Sequence, residues 1–164
     1  MSAAPFPAAA IAGVRAAARD YLRITGSAED AVIDRLAASA LALAEAYTGT
    51  AILARPHEAM MAASGEWRAL PVGPVSAIVA VAPVTAIDID ADGTGWVRMA
   101  AASPVHFTAG IAATWEAVPA AVAQGVVVLV AHLFDQRTAS AAPPAAVGAL
   151  WRPWRRMQLT GARR

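Results

Sequence analysis

The stretch Pro71-Val72-Gly73-Pro74 in the middle of this chain cannot form a helix. Pro71 and Pro74 lack backbone donors and, with Gly73, break any helical turn, leaving Leu70 as a packing residue at a bend. Residues 75–81 and 84–89, parted by Pro83, are rich in β-branched side chains and read as strands. Asp92-Gly93 is a hairpin turn signal, and Gly95-Trp96-Val97-Arg98-Met99 reads as the returning strand. Val105-His106-Phe107-Thr108 supplies one more strand before Gly110. Upstream, 51–55 and 57–61 are short extended segments, and Ser64-Gly65 reads as a turn with Trp67 after it. The middle of the chain is thereby predicted to be a small antiparallel sheet.

Helical periodicity lies on both sides of it. Pro5 and Pro7 imply a loose N-terminal lead. From Ala8 to Leu22, Ile11, Val14, Ala18 and Leu22 share a stripe that leaves out Arg15 and Arg19, and Thr25-Gly26 closes the segment. Ser27 and Asp30 resemble a capping box for a second helix running to about Tyr47. Its apolar face is read as Ile33, Leu36, Ala40, Leu43 and Tyr47, and Thr48-Gly49 is its stop. Helix returns near Pro119, and Val122, Val126, Leu129, Val130 and Leu133 form a wide apolar face up to about Arg137. Gly125 inside it costs about 1 kcal/mol relative to Ala, but its lack of a side chain is useful if another helix or a subunit crosses there closely. Pro143-Pro144 break the chain, and a short final helix from about Ala146 carries Leu150, Trp151 and Trp154 among arginines. The expectation is an α+β fold, with helices packed around a small antiparallel sheet. Its expected division is a core over 1–142 and a C-terminal extension over 143–164 that carries the short helix. No internal repeat is present.

At 164 residues the chain fits one compact domain, and its 58% hydrophobic and 15% charged composition argues against disorder. Much of the apolar content is alanine, which favours helix but contributes little buried area, so partner surfaces are expected to complete the burial. The net charge of +1 gives no global attraction to DNA or anionic lipid. Its distribution is more telling. All 13 basic residues are arginine, and no acid follows Asp135. The absence of cysteine excludes disulfides, thiolate metal sites and cysteine nucleophiles. The opening segment lacks a basic region before its apolar run, and the apolar stretch 122–134 is too short to span a bilayer. A soluble, intracellular protein without a membrane partner is the expectation.

Little points to chemistry. His57, His106 and His132 lack ligand-type neighbours at metal-binding spacing, and His106 and His132 read as packed residues. Asp88, Asp90 and Asp92 would project on one side of a strand, but no glutamate closes a calcium loop, so they read as a solvated strand entering a turn. There is no Gly-x-Ser-x-Gly elbow and no phosphate-binding glycine loop. No catalytic, cofactor or metal residue is assigned, and the chain is read as a non-enzyme. The sharpest local feature is Leu150-Trp151-Arg152-Pro153-Trp154-Arg155-Arg156-Met157. Trp and Arg are over-represented at binding hot spots. The same arginines, with Arg163 and Arg164, could instead contact DNA phosphates. A small non-catalytic nucleic-acid-binding protein is therefore the alternative, and it would bind duplex DNA with steep salt dependence.

The order of several short motifs resembles the head-tail connector (adaptor) proteins of long-tailed phages and phage-like gene transfer agents. They are Leu22-Arg23-Ile24, Glu45-Ala46-Tyr47-Thr48-Gly49, Leu70-Pro71-Val72-Gly73-Pro74-Val75, Phe107-Thr108-Ala109-Gly110, Val118-Pro119 and Leu150-Trp151-Arg152-Pro153-Trp154-Arg155. Phe107 and Trp154 stand where the family often has Tyr, and the second aromatic after Gly110 is missing. The resemblance covers about residues 20–157. It implies a ring, usually of twelve copies, docked beneath the portal at the capsid vertex and assembled in the bacterial host cytoplasm. Such a ring continues the channel for double-stranded DNA, with only non-specific contact to it, and receives the stopper or tail-completion protein. It also implies portal docking by Leu150, Trp151, Arg152, Trp154, Arg155 and Arg156. Val122, Gly125 and Leu129 are the candidates for contact between copies.

Overall fold

A computed structural model describes residues 1–136 and 143–156. Arg137, Met157, Arg163 and Arg164, named above, lie outside the described residues. The fold is α+β, with its strands and helices sorted into two compact units, 1–10 with 51–118 and 11–50 with 119–164.

The first unit holds seven strands: β1 (Ser2–Ala3), β2 (Arg55–Met61), β3 (Ser64–Ala69), β4 (Val75–Ile78), β5 (Val84–Ile89), β6 (Gly95–Met99) and β7 (Ser103–Ala109). They form two antiparallel sheets instead of the single one expected, ordered β1-β2-β7-β4 and β3-β6-β5. Alternation decides which side chains go inward. Ala59 on β2, Val75 on β4, Val97 and Met99 on β6, and Val105, Phe107 and Ala109 on β7 bury into one shared cluster with Leu70. The bend residue Leu70 is thus core, as read. Ser64-Gly65 is not a turn: β3 begins at Ser64, which pairs with Met99 across a register shift.

The same parity corrects the histidines. His106 lies between two inward residues of β7 and faces out toward Glu58, 3.6 Å away across the ladder. His57 is the buried one, stacked on Phe107 with centroids 5.5 Å apart. His132 is half-buried.

The N-terminal lead is not loose. β1 pairs with β2, and the buried Arg55 holds the lead in place. Its Nε donates to the Ala4 carbonyl at 3.0 Å, and its guanidinium lies 4.2 Å from the Phe6 ring centroid. Hydrogen bonds and the ring offset the penalty of burying a cation.

The Asp-Gly hairpin forms as expected, and Asp90 organises it. One carboxylate oxygen accepts from the Asp92 and Thr94 amides at 3.1 and 2.8 Å, and the other from Trp96 Nε1 at 2.9 Å. The Trp96 bond, followed by the Thr94 amide, holds the Asp90 carboxyl below its ordinary value of 3.8. A lowered folded-state pKa contributes stability that is complete above the unfolded value and lost as pH falls through the folded one. Asp90→Asn should therefore be less stable than wild type at pH 7, with the gap narrowing below pH 3.8, as read by urea denaturation across pH.

The second unit holds α1 (Ala8–Leu22, apart from its first turn), α2 (Asp30–Thr48), α3 (Ala120–Asp135) and α4 (Ala145–Trp151). α1 has the expected bounds. The capping box does not form: the Asp30 amide donates to the Ser27 carbonyl at 3.1 Å, while its carboxylate accepts from Arg19 at 3.1 Å. Arg15 pairs with Asp34, so both arginines left off the α1 stripe tie it to α2. Gly49 ends α2 in the left-handed conformation, φ 66°, with its amide donating to the Glu45 carbonyl at 2.8 Å. α3 packs on α2 and on α4.

The buried face of α2 differs from the sequence reading. It is Ile33, Ala37, Ala40, Leu41, Ala44 and Thr48, a stripe dominated by small residues. Leu43 and Tyr47, expected on the core face, are exposed. Small side chains let helices approach closely, and the bulkier residues then fall beside the contact.

Candidate docking surface

The C-terminal tryptophans divide the work between them. Pro144 introduces α4 with φ −55° and ψ 136°, and a single 3-10 turn, Arg152–Trp154, follows with Pro153 inside it. Two turns of helix this short cannot hold themselves in water. Trp151 anchors them. It is 3% exposed, and its Nε1 donates to the Val122 carbonyl of α3 at 3.2 Å. Its indole fills the space above Gly125, where any Cβ would overlap the ring. Tyr47 closes the other side, with ring centroids 5.8 Å apart and its hydroxyl donating to the Gly148 carbonyl at 3.2 Å. The Arg156 amide donates to the Thr48 carbonyl at 2.7 Å and ties the chain to the end of α2.

Of the six residues read as a docking set, Trp151 is thus buried, while Leu150 and Arg156 are half-buried. Arg152, Trp154 and Arg155 are exposed together on the short turn and the residue after it. Arg155 stands 5.9 Å over the Tyr47 ring. An exposed indole between two guanidinium groups can bury a flat apolar area on a partner and form bidentate bonds with its carboxylates. Of the three residues read as contacts between copies, Val122 and Gly125 are covered by the chain itself, while the buried Leu129 lies in the wall of a groove. Val122 and Leu129 are core, and Gly125 lies under Trp151.

Beside Trp151 lies an apolar groove of about 460 Å³. Leu43, Tyr47, Leu129, Pro144 and Val147 help to line it, and none of its lining residues is charged. Sequence periodicity missed this groove because it assigned Leu43 and Tyr47 to the core. Among the described residues no three His, Asp or Glu side chains are grouped to hold a metal ion.

No protein-family model and no curated protein matches the chain. Solved structures do. A chain from the neck of an empty gene transfer agent (GTA) particle, computed with C6 symmetry, has TM-score 0.77 and 27% identity, with 100% of each chain covered. A chain from the neck of a native GTA particle, computed with C12 symmetry, has TM-score 0.75 and 25% identity, again over 100% of both. One from the virion of a native GTA particle has TM-score 0.72 and 26% identity over 99% of both.

Proposed function

Since the chain belongs to the head-tail connector (adaptor) family of phages and phage-like gene transfer agents, we propose that it docks onto the portal through its exposed Trp-Arg turn. Its role is structural and non-enzymatic: an adaptor ring in the neck of a phage-like particle, at the head-tail junction. The observation that carries this is a likeness over the whole length of chains from particle necks.

Within that role, Arg152, Trp154 and Arg155 face the portal, and the segment from 143 onward serves as the docking element. The ring receives the stopper or tail-completion protein on its other side and continues the channel for double-stranded DNA. Contact with transiting DNA is weak and non-specific, because a channel that grips its cargo cannot pass it.

Cutting the chain at Pro143 would be a poor test, because it would also remove the buried Trp151. The variant R152A/W154A/R155A leaves that anchor in place. It should keep the wild-type melting curve but bind portal roughly tenfold or more weakly in a pull-down, as loss of a hot-spot cluster implies. In a host lacking the chain, wild type should restore joined particles and the variant should leave heads and tails separate. Wild-type portal binding by the variant would overturn the assignment of this turn.

A further inference from the structure

The strand unit is open along one side. β4 and β5 are outer strands of the two sheets, joined by residues 79–83. Ile87 and Ile89 pair with Val97 and Gly95, both buried, so they project to the inner face, since paired residues share a side. Yet they are 42% and 38% exposed. Val79 and Val81, just beyond β4, are exposed too, Val81 at 64%. Four β-branched side chains on an uncovered edge form an association surface.

The helical unit carries a surface of the complementary kind. Leu43, 46% exposed, and Tyr47 border the uncharged groove beside Trp151. Arg155 stands over Tyr47 at the edge of this groove, and Asp92 lies in the turn that follows β5.

We propose that the open β4–β5 side of one copy seats in the Leu43–Tyr47–Trp151 groove of the next copy. The inference rests on the ring reading above. Two different surfaces on every copy make a head-to-tail contact, which is the kind that closes into rings of more than two members. The particle necks that hold the similar chains were computed with C6 and C12 symmetry, and a ring of either order needs such a pair of surfaces.

The chain has no cysteine, so cysteines can be introduced without background. Particles assembled with full-length V81C/L43C, and separately I87C/L43C, are treated with a short bismaleimide and run on a denaturing gel. The expected result is a ladder of multimers reaching the closed ring, with V81C, I87C or L43C alone remaining monomeric. If both pairs remain monomeric in particles whose necks contain the chain, or if single variants give dimers, the contact is overturned while the adaptor reading stands. Absence of the chain from purified particles overturns the adaptor reading, and this contact with it.

Discussion

Trp151→Ala should destabilise the isolated protein by about 3–5 kcal/mol, the range for removing a buried aromatic side chain. In a chain of this size that corresponds to a melting temperature lower by roughly 10 °C, read by circular dichroism. The expectation is at the upper end of effects for one substitution, because Trp151 does three things. It fills the space over Gly125, donates to the Val122 carbonyl and packs on Tyr47. Its loss leaves a cavity and frees α4, whose seven residues cannot stay helical alone. The 3-10 turn with Trp154 then loses its mount, so portal binding should fall too, although Trp151 itself is buried. This separates W151A from R152A/W154A/R155A, which should affect binding and leave the melting temperature unchanged.

Gly125→Val should be the mirror image. Replacing glycine inside a helix normally helps, by about 1 kcal/mol for alanine. Here the added side chain would overlap the Trp151 indole, and overpacking of this kind costs about 1–3 kcal/mol. The indole would also be pushed from its seat. Since both substitutions act on one contact, the double variant G125V/W151A should be less destabilised than the sum of the singles, with the valine partly refilling the cavity. A double-mutant cycle from urea denaturation should give a coupling of about 1 kcal/mol or more. A glycine kept only for contact with another copy would behave differently: G125V would melt like wild type and fail only in assembly.

Several local signals were legible in the sequence, though the Ser27–Asp30 capping box and the Ser64-Gly65 turn do not form. Signals that depend on distant residues were not legible. The bounds of α1, the Gly49 stop and the Asp-Gly hairpin each depend on a few adjacent residues whose backbone preferences agree. Gly125 was marked as a point of close approach, but nothing local identifies what approaches it, because Trp151 arrives from the far side of a proline break. The face of α2 was misread by about one position, since periodicity was tracked through the large residues. In this helix the alanines make the contact, while Leu43 and Tyr47 border a groove. The two-sheet arrangement has no local signature, because successive hairpins are compatible with one sheet or two. The place of His106 was legible in principle: once Val105 and Phe107 are core, strand parity sends the residue between them outward. For the candidate docking set, composition marked the segment, but only the three-dimensional arrangement separates the buried Trp151 from the exposed Trp154.

The helical unit is written in two instalments, α1 and α2 before the strands and α3 and α4 after them. A ribosome working from the first codon therefore releases α2 with its alanine stripe uncovered, and its lid is not made until the whole strand unit has emerged. The strand unit, continuous but for its short N-terminal lead, can close while synthesis is still under way. The exposed tryptophan turn follows α4 in the chain and so is mounted only after α3 has been made.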